Sequence, residues 1–448
     1  MSESLGRRLD GSQWIDQTHA MILPANHPLR QKLNDEVHAR PPEELHAPCS
    51  ISYLALFTDE AACQESGAKI RELADRFNAP PPVEGANHYS ADLGPFRVKW
   101  ERHSEFTRYE FIIEKDESPP FSDPPIRAVP QEWAASLPGK LLVAANIMVT
   151  RANSALPHLD DISARYFDGN ALVGSTVSSG AGRAFMDFRI HGDGFSRILI
   201  QDLTLTPRQS GRLVQRLVEI DSYRMMALLA LPFAQELTPL LATWERELVE
   251  ITSAMVQAGE KDEALLLARL TKLEAEIESR RAASAYRFSA AAAYYDIVQR
   301  RTGELREERL QGLQLFQEFT ERRLEPAMST CAASTARQEA LSTQVSRAMN
   351  MLSTTVDVTL EQQNQAVLAS MDRRAKLQLR LQETVEGLSV AAITYYIVGL
   401  VGYAAKAAHA GGVEVNPELV MGISIPLVAG AVAYGLSRFR ARVAAEKN

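Results

Sequence analysis

The spacing of hydrophobic and polar positions changes twice along the chain. Up to about residue 206, short apolar and β-branched runs alternate with turn residues, a pattern typical of strands. From residue 207 onward, apolar positions recur every three or four residues, as in helices that bury one face. Two uncharged runs near the C-terminus are each long enough to cross a bilayer as a helix. The pattern predicts an α+β fold that ends in a two-helix transmembrane hairpin.

The first part, residues 1–206, is predicted to be a mixed α/β cytoplasmic domain. A helix is expected over residues 60–77, where Ile70, Leu73 and Phe77 recur at helical spacing. A tight turn at residues 191–194 is expected to lead into a further strand. The expected strands cover residues 50–57, 96–102, 106–114, 140–150, 172–178, 185–190 and 197–205.

The second part, residues 207–326, is predicted to be a helical bundle or arm. Pro207 occupies a first helical position, and Thr206 precedes it as the cap. Long helices joined by short turns pack side by side in opposite directions. The expected helices cover residues 207–232, 233–258 and about 262–301.

The third part begins with residues 327–387, which are predicted to form a stalk helix. No Gly or Pro occurs from Ala327 to Glu386, and a helix of this length would measure roughly 90 Å. Apolar residues at helical spacing form a seam that would pack against partner helices, which predicts a homo-oligomer. A polar stretch at residues 361–365 interrupts the seam; it could hold water or ions, but we favour a role in fixing the register. The seam residues are Leu341, Val345, Ala348, Leu352, Val356, Val367, Met371, Leu381, Val385 and Leu388.

Two transmembrane helices are predicted at residues 388–405 and 419–437, with an outer loop at 406–418 and a tail at 438–448. Basic residues flank the first span on its N-terminal side and the second span on its C-terminal side, so both termini should be cytoplasmic. A buried helix pair in a soluble protein is the alternative. The basic residues are Arg373, Arg374, Lys376, Arg380, Arg438, Arg440 and Arg442.

Small and hydroxylated residues within the spans are candidates for helix packing or for lining a pore. A lone hairpin encloses no pathway, so a pore would require several copies of the chain. Glu414 and Glu418 in the outer loop could then concentrate cations at its mouth. The candidate residues are Ser389, Tyr396, Gly399, Gly402, Tyr403, Gly422, Pro426 and Gly430.

Three segments carry a family resemblance: residues 27–41, 223–232 and 386–403. They resemble the bacterial family of uncharacterised membrane-anchored proteins called domain of unknown function 3422, and the order of parts is similar over essentially the whole chain. The resemblance implies anchoring in the bacterial inner membrane. It implies no activity.

The first of these segments holds the most enzyme-like group of side chains. His27, Glu36 and His38 could bind a metal, and His38 with Arg40 could act as acid and base on a phosphate. The alternative is a capped, salt-bridged segment that clamps the N-terminus onto the domain. The residues of this signature are His27, Arg30, Glu36, His38, Arg40 and Pro41.

The order of cytoplasmic α/β domain, helical arm, long stalk and two spans also resembles CorA-type divalent-cation channels. Those channels carry a Gly-Met-Asn motif at the outer end of the first span, where this chain has Gly402, Tyr403 and Ala404. The resemblance implies that the protein could conduct a divalent cation. Because the Asn of the motif is missing, the ion selectivity of such a channel is in doubt.

Composition excludes several classes of function. A net charge of −8 and a pI near 5.7 argue against binding to nucleic acid. The three cysteines form no CxxC pair, the N-terminus is not a signal peptide, and no nucleotide-binding or hydrolase motif occurs, so no cofactor is expected. We expect an oligomeric membrane-anchored scaffold with an unknown cytoplasmic protein partner; a CorA-like cation channel and an anchored enzyme are the alternatives.

Overall fold

The structure, a computed structural model, divides the chain into two compact units. One contains Met1–Glu247 and Glu274–Thr343, and the other contains Leu248–Leu273 and Gln344–Asn448. It describes residues 24–31, 33–34, 42–115, 120–153, 155–257, 260–412, 414 and 416–445.

The first unit is built on a sheet with the strand order β2-β3-β4-β1-β5-β8-β7-β6-β9 in the described residues. Neighbouring strands are antiparallel except β5 and β8, which are parallel. The strands are β1 (Cys49–Phe57), β2 (His88–Asp92), β3 (Arg97–Arg102), β4 (Phe106–Ile113), β5 (Lys140–Arg151), β6 (Val173–Val177), β7 (Gly182–Met186), β8 (Ser196–Asp202) and β9 (Glu308–Arg309).

Helices make up most of the remaining chain, so the predicted α+β fold is confirmed. The short helices are α1 (Glu60–Arg76), α2 (Gln131–Ala135), α3 (Leu159–Tyr166) and α7 (Phe316–Arg323). The long helices are α4 (Pro207–Leu228), α5 (Leu231–Gln257), α6 (Glu260–Glu304), α8 (Glu325–Ala410) and α9 (Pro417–Ala445).

One face of the sheet at β3, β4 and β1 is apolar. Val98, Trp100 and Phe111 alternate with polar residues along β3 and β4, and they are fully buried. Ile70 and Leu73 of α1 pack on this face. Burying these large side chains is a main source of the stability of this part of the sheet.

Helix α4 begins as its sequence predicts and packs on β5 of the sheet. Thr206 and Gln209 form a reciprocal capping box, and Pro207 is the first helical residue. Tyr53 of β1 and Ser222 of α4 share a hydrogen bond of 2.7 Å between their hydroxyls, both buried. The helix is therefore held to the sheet by a polar contact as well as by packing.

Helices α5, α6 and α8 lie side by side within the first unit. Arg337 of α8 pairs with Glu245 of α5 at 2.7 Å, and Trp244 of α5 donates to Glu276 of α6 at 3.3 Å. Gln338 of α8 donates to the backbone oxygen of Ile277 on α6. These contacts join the three helices; a separate helical arm at residues 207–326 stays a prediction.

Helix α8 continues without interruption for 86 residues, through the predicted stalk and the first predicted span. The absence of Gly and Pro from residues 327–386 explains this continuity. It begins two residues earlier than predicted, with Pro326 in its first turn. Proline is tolerated there because the N–H groups of the first turn have no partner within the helix. It ends at Ala410, inside the predicted outer loop.

The structure differs from the sequence-based expectations at two further places in the first unit. The sheet extends beyond residue 206, because β9 pairs with β6 through Arg309 and Ser175. The strand expected over residues 185–190 ends at Met186, since Phe188 adopts a positive φ of 54°. The turn at residues 191–194 is present, with Gly194 donating to the carbonyl of His191.

Three helical stretches in the described part of the chain are long and apolar enough to cross a membrane, judged by length and composition. They are Pro207–Gln257, Phe316–Ala410 and Pro417–Phe439. The second and third contain the two spans that the sequence predicts. The first stretch, Pro207–Gln257, was not predicted to cross a membrane.

Candidate functional sites

A groove of about 760 Å³ lies on the second unit, where the end of α8 meets α9. Tyr396, Gly399, Gly402 and Tyr403 line it, so four of the predicted packing or pore residues are brought together. The two tyrosine side chains are 72% and 74% exposed, respectively. An aromatic ring with a free hydroxyl and a neighbouring glycine makes this groove suited to another helix or to a lipid chain.

The two glycines of this groove have different surroundings. A Cβ at Gly402 would collide with the Met421 side chain of α9, so this glycine allows the two span helices to approach closely. A Cβ at Gly399 would meet nothing within 4 Å. Gly402 therefore allows close packing of two helices of the same chain, whereas the space beside Gly399 is open.

Thr394 and Lys406, which are not among the residues predicted from the sequence, also line the groove. Thr394 is 9% exposed, and its Oγ1 has no hydrogen-bond partner in the described ranges. A threonine in a helix commonly bonds the carbonyl four residues earlier, as Thr384 does with Arg380. Lys406, Gly402, Val398 and Thr394 follow one another at four-residue intervals and all line the groove, so this spacing from Gly402 could have pointed to both residues.

The remaining predicted residues of the spans lie outside this groove. Ser389 donates to the carbonyl of Val385 at 2.8 Å, so its hydroxyl is satisfied within its own helix. Cβ atoms at Gly422 and Gly430 would meet nothing within 4 Å, and Pro426 lies inside α9. None of these four positions is in the lining of the groove that contains Tyr396.

The predicted charged residues near the spans are placed as follows. Glu418 lies in the first turn of α9, where its backbone N–H bonds Asn416 Oδ1, and Glu414 precedes that helix. Lys376 pairs with Asp372 at 2.6 Å on the surface of α8. Arg373, Arg374 and Arg380 are exposed on α8 and Arg438 is exposed on α9; the side chains of Arg440 and Arg442 lie outside the described residues.

A second candidate site is the buried ionic face of the first unit, formed by the other face of β3 and β4. Lys99 lies opposite Glu110, and Glu101 lies opposite Arg108, in the strand register. All four are at most 5% exposed. Lys99 pairs with Glu101 at 3.1 Å, and Arg108 pairs with Glu101 as well. Opposite charges directly across a strand pair stabilise the register.

Two helices complete this ionic face. Glu219 of α4 is 3.4 Å from Arg108 and accepts a 2.5 Å hydrogen bond from Arg301 of α6. Its side chain is 6% exposed. The carboxylate of Glu219 thus links the sheet to both helices.

The two carboxyl groups on the sheet have opposite pKa shifts. Burial would raise the pKa of Glu101, but the Arg108 guanidinium and neighbouring groups hold it well below its ordinary range. Burial raises the pKa of Glu110 against the opposing effects of Lys99 and Arg108. Glu110 Oε1 also accepts no hydrogen bond from any residue that the structure describes. A carboxyl group with a shifted pKa is a common feature of functional sites, and also of structural ion networks.

The segment that follows the family signature is bound to helix α4 and to the sheet. Residues 42–47, which we name the strap, follow the signature segment. Leu45 donates its N–H to the carbonyl of Pro207, and the guanidinium of Arg151 donates to the carbonyl of Ala47 at 2.8 Å. Glu43 accepts from Ser90 of β2 at 2.7 Å. The strap is therefore held to α4 and to the sheet.

The signature side chains are only partly described. His27 accepts a hydrogen bond from the N–H of Leu29 at 3.2 Å, and Arg30 bonds Asn26. Glu36, His38, Arg40 and Pro41 lie outside the described residues, so the predicted cluster has no described geometry. Among the described residues, no group of three or more His, Cys, Asp or Glu side chains could hold a metal ion.

Comparison with known proteins identifies a family for this chain. The model of the family described as "Protein of unknown function (DUF3422)" matches residues 25–443. No curated protein and no solved structure matches the chain. The matched region includes the strap, the buried ionic face and both span helices. The chain belongs to the DUF3422 family.

Proposed function

We propose that this protein is a two-pass membrane-anchored scaffold of the bacterial inner membrane, with its α/β part and both termini in the cytoplasm. The observation that carries the proposal is the exposure of apolar side chains on the two span helices. Leu388, Leu400 and Leu427 are 74%, 68% and 67% exposed, respectively. Such contiguous apolar surface is unfavourable in water and favourable in a bilayer.

We assign the remaining apolar helical stretch, Pro207–Gln257, to the cytoplasmic part. Met226 of α4 and Leu237 and Leu241 of α5, in the most apolar part of this stretch, are at most 5% exposed, so one face of it is already covered by protein. Helix α4 also carries the buried, ion-paired Glu219. A helix that packs on a sheet in this way does not need lipid.

The basic residues support the proposed orientation. Arg373, Arg374 and Arg380 are exposed on α8 before the first span, and Arg438 is exposed on α9 after the second. The segment between the spans carries Lys406, Glu414 and Glu418, with no arginine. By the positive-inside rule, this segment would lie on the outer side.

Self-association through the stalk is supported by a change in burial along its seam. Val345 and Leu352 are buried within the chain, at 0% and 3% exposed. Further along α8, Val367, Met371 and Leu381 are 56%, 60% and 70% exposed. The first half of the seam already has partners in its own chain, so only the second half is available for helices of other copies.

Carbonate extraction of membranes, combined with cysteine labelling from outside intact spheroplasts, tests the anchoring and the orientation. We expect the protein to remain with the membrane. A cysteine replacing Glu414 should react with an impermeant maleimide, and one replacing Ser437 should react only after lysis. Release into the carbonate wash, or outside labelling at position 437, would refute this arrangement.

A cation pathway is the second candidate function, and the hydroxyls of the groove favour it. Tyr396 and Tyr403, together with Thr394, would give several copies a lining of hydroxyl oxygens, which could replace part of the hydration shell of a divalent cation in a CorA-like pathway. The Gly399→Leu substitution tests it, because the open space at Gly399 admits a side chain without disturbing the hairpin. If the pathway exists, Mg²⁺ flux into proteoliposomes should fall to the level of empty liposomes; absence of flux in the unaltered oligomer would leave the scaffold.

A further inference from the structure

Thr394 marks the groove on the first span helix as an unfilled contact. Its side chain is 9% exposed, it lines the groove, and its Oγ1 has no partner in the part of the chain that is described. An unpaired polar atom is costly at the depth of the hydrocarbon. We propose that the span helix of a second copy occupies this groove, and that Lys406 of one copy pairs with Glu418 of the next. The inference rests on the proposed membrane insertion.

The exposed hydroxyls of the groove need the same kind of partner. Tyr396 and Tyr403 are largely exposed and make no hydrogen bond within the described ranges. Ser389, in contrast, is satisfied by the carbonyl of Val385. Hydroxyls of span helices hydrogen-bond across helix–helix contacts, whereas a lipid chain offers them nothing. A protein occupant therefore satisfies more of the groove than lipid does.

The groove also has room for a helix at one defined point. Gly399 is open, whereas Gly402 is covered by Met421 of the same chain. Close approach of a second backbone is therefore possible at Gly399 without separating the hairpin.

Charges at the outer ends of the two span helices are complementary. Lys406 lines the groove at the end of α8, and Glu418 lies in the first turn of α9. Neither forms an ion pair within the described chain. If each copy contributes Lys406 to one neighbour and Glu418 to the other, the contact is head-to-tail and can close into a ring. The opposite charges then also fix the register of the copies.

Zero-length carbodiimide coupling of the full-length protein in its membranes tests this pairing. The reaction joins an ammonium group to a carboxylate only when they touch, so a denaturing gel should show a cross-linked dimer. The dimer should be lost in Lys406→Gln and in Glu418→Gln. Lys376→Gln serves as the matched control, because Lys376 is an exposed lysine of the same helix that pairs with Asp372 in its own chain; this variant should retain the dimer.

Charge reversal then distinguishes a contact between copies from one within a copy. K406E and E418K should each lose the cross-linked dimer by about tenfold or more when expressed alone, since each copy then repels the next. Co-expression of the two variants under different tags should restore a dimer that carries both tags. Restoration only in the double variant K406E/E418K, within a single chain, would overturn the proposal.

Two outcomes keep the failure of this inference separate from failure of the membrane assignment. A protein that resists carbonate extraction but gives no dimer in any variant would refute the contact and leave the anchor intact. Release by carbonate would refute both. Recovery of the purified protein as a monomer with lipid bound in the groove would likewise overturn the proposed occupant.

Discussion

Arg287 of α6 donates hydrogen bonds to both carboxylate oxygens of Glu105, in the turn between β3 and β4, at 2.6 and 3.4 Å. Their side chains are 13% and 8% exposed. Tyr294, two helical turns along α6, donates to the same carboxylate at 2.7 Å. This single carboxylate therefore attaches the β3–β4 turn to the helical arm.

Removing Glu105 should destabilise the first unit markedly. In Glu105→Ala, the guanidinium of Arg287 would stay buried without its partner, which costs about 3 kcal/mol in the free energy of unfolding. Urea denaturation followed by tryptophan fluorescence measures this change. Glu304→Gln is the control, because Glu304 is 41% exposed and its pairs with Arg216 and Arg301 should contribute less than about 1 kcal/mol. Equal midpoints for the two variants would contradict the role of Glu105.

The strap depends on the absence of a side chain at Gly211. A Cβ at this position of α4 would overlap the carbonyl oxygen of Glu43. Gly211→Ala should therefore displace residues 42–47, lower the melting temperature and expose the strap to proteases; limited digestion with a glutamyl endopeptidase, which can cleave after Glu43 and Glu44, detects the new cleavage by mass spectrometry. A strap that stays protected would refute the contact.

Gly303→Ala provides the matched control for this substitution. Gly303 also lies in a helix, α6, but a Cβ there would meet nothing within 4 Å. Alanine should leave the digestion pattern unchanged and stabilise the helix by about 0.5–1 kcal/mol.

The raised pKa of Glu110 predicts a pH dependence of stability. The folded protein holds this proton to a higher pH than the unfolded chain does, because burial disfavours the charged carboxyl. Between the ordinary value of 4.5 and the raised value, the folded state binds more protons, so this group makes stability fall as pH increases. In Glu110→Gln this contribution should disappear, and the variant should gain stability relative to the parent as pH rises from 4 to 8. Denaturant midpoints measured across that range test the sign.

Glu101 supplies the internal comparison for this pH profile. The pKa of Glu101 is lowered in the folded state. Its contribution to the stability of the protein is therefore present at pH values above its ordinary pKa and is lost as the pH falls. Glu101→Gln should therefore reduce the loss of stability on acidification, which is the opposite change. A parallel profile for the two variants would contradict the assigned shifts.

The parts of this fold that follow from local sequence were predictable. Helix α8 is continuous because its stalk contains no Gly or Pro, and the Thr206-Pro207 pair marks the start of α4. Residues brought together over long distances were not predictable in the same way. The two residues of β9 join the sheet beside β6, 130 or more positions earlier in the chain, and carry no strand signal of their own.

The charged face of the sheet shows why the candidate sites were harder to predict. Lys99 and Glu101 alternate with Val98 and Trp100, a pattern that normally means one buried face and one exposed face. Both faces are buried here, because α4 and α6 supply the ion partners Glu219 and Arg301. Sequence reveals the alternation but not the partners that cover the polar face.

The two halves of the stalk seam give the last prediction, since they contain similar residues in different surroundings. Leu352 is 3% exposed and Leu381 is 70% exposed on the same helix. Leu352→Ala should create a cavity inside the chain and cost about 2–5 kcal/mol in the free energy of unfolding. Leu381→Ala should leave the unfolding midpoint of the protein unchanged when it is monomeric. It should instead weaken self-association, because the side chain has no partner within its own chain. Analytical ultracentrifugation in detergent measures association, and chemical denaturation measures folding. If Leu381→Ala leaves association unaltered while Leu352→Ala abolishes it, the contact between copies involves the other half of the seam and the proposed assembly is wrong.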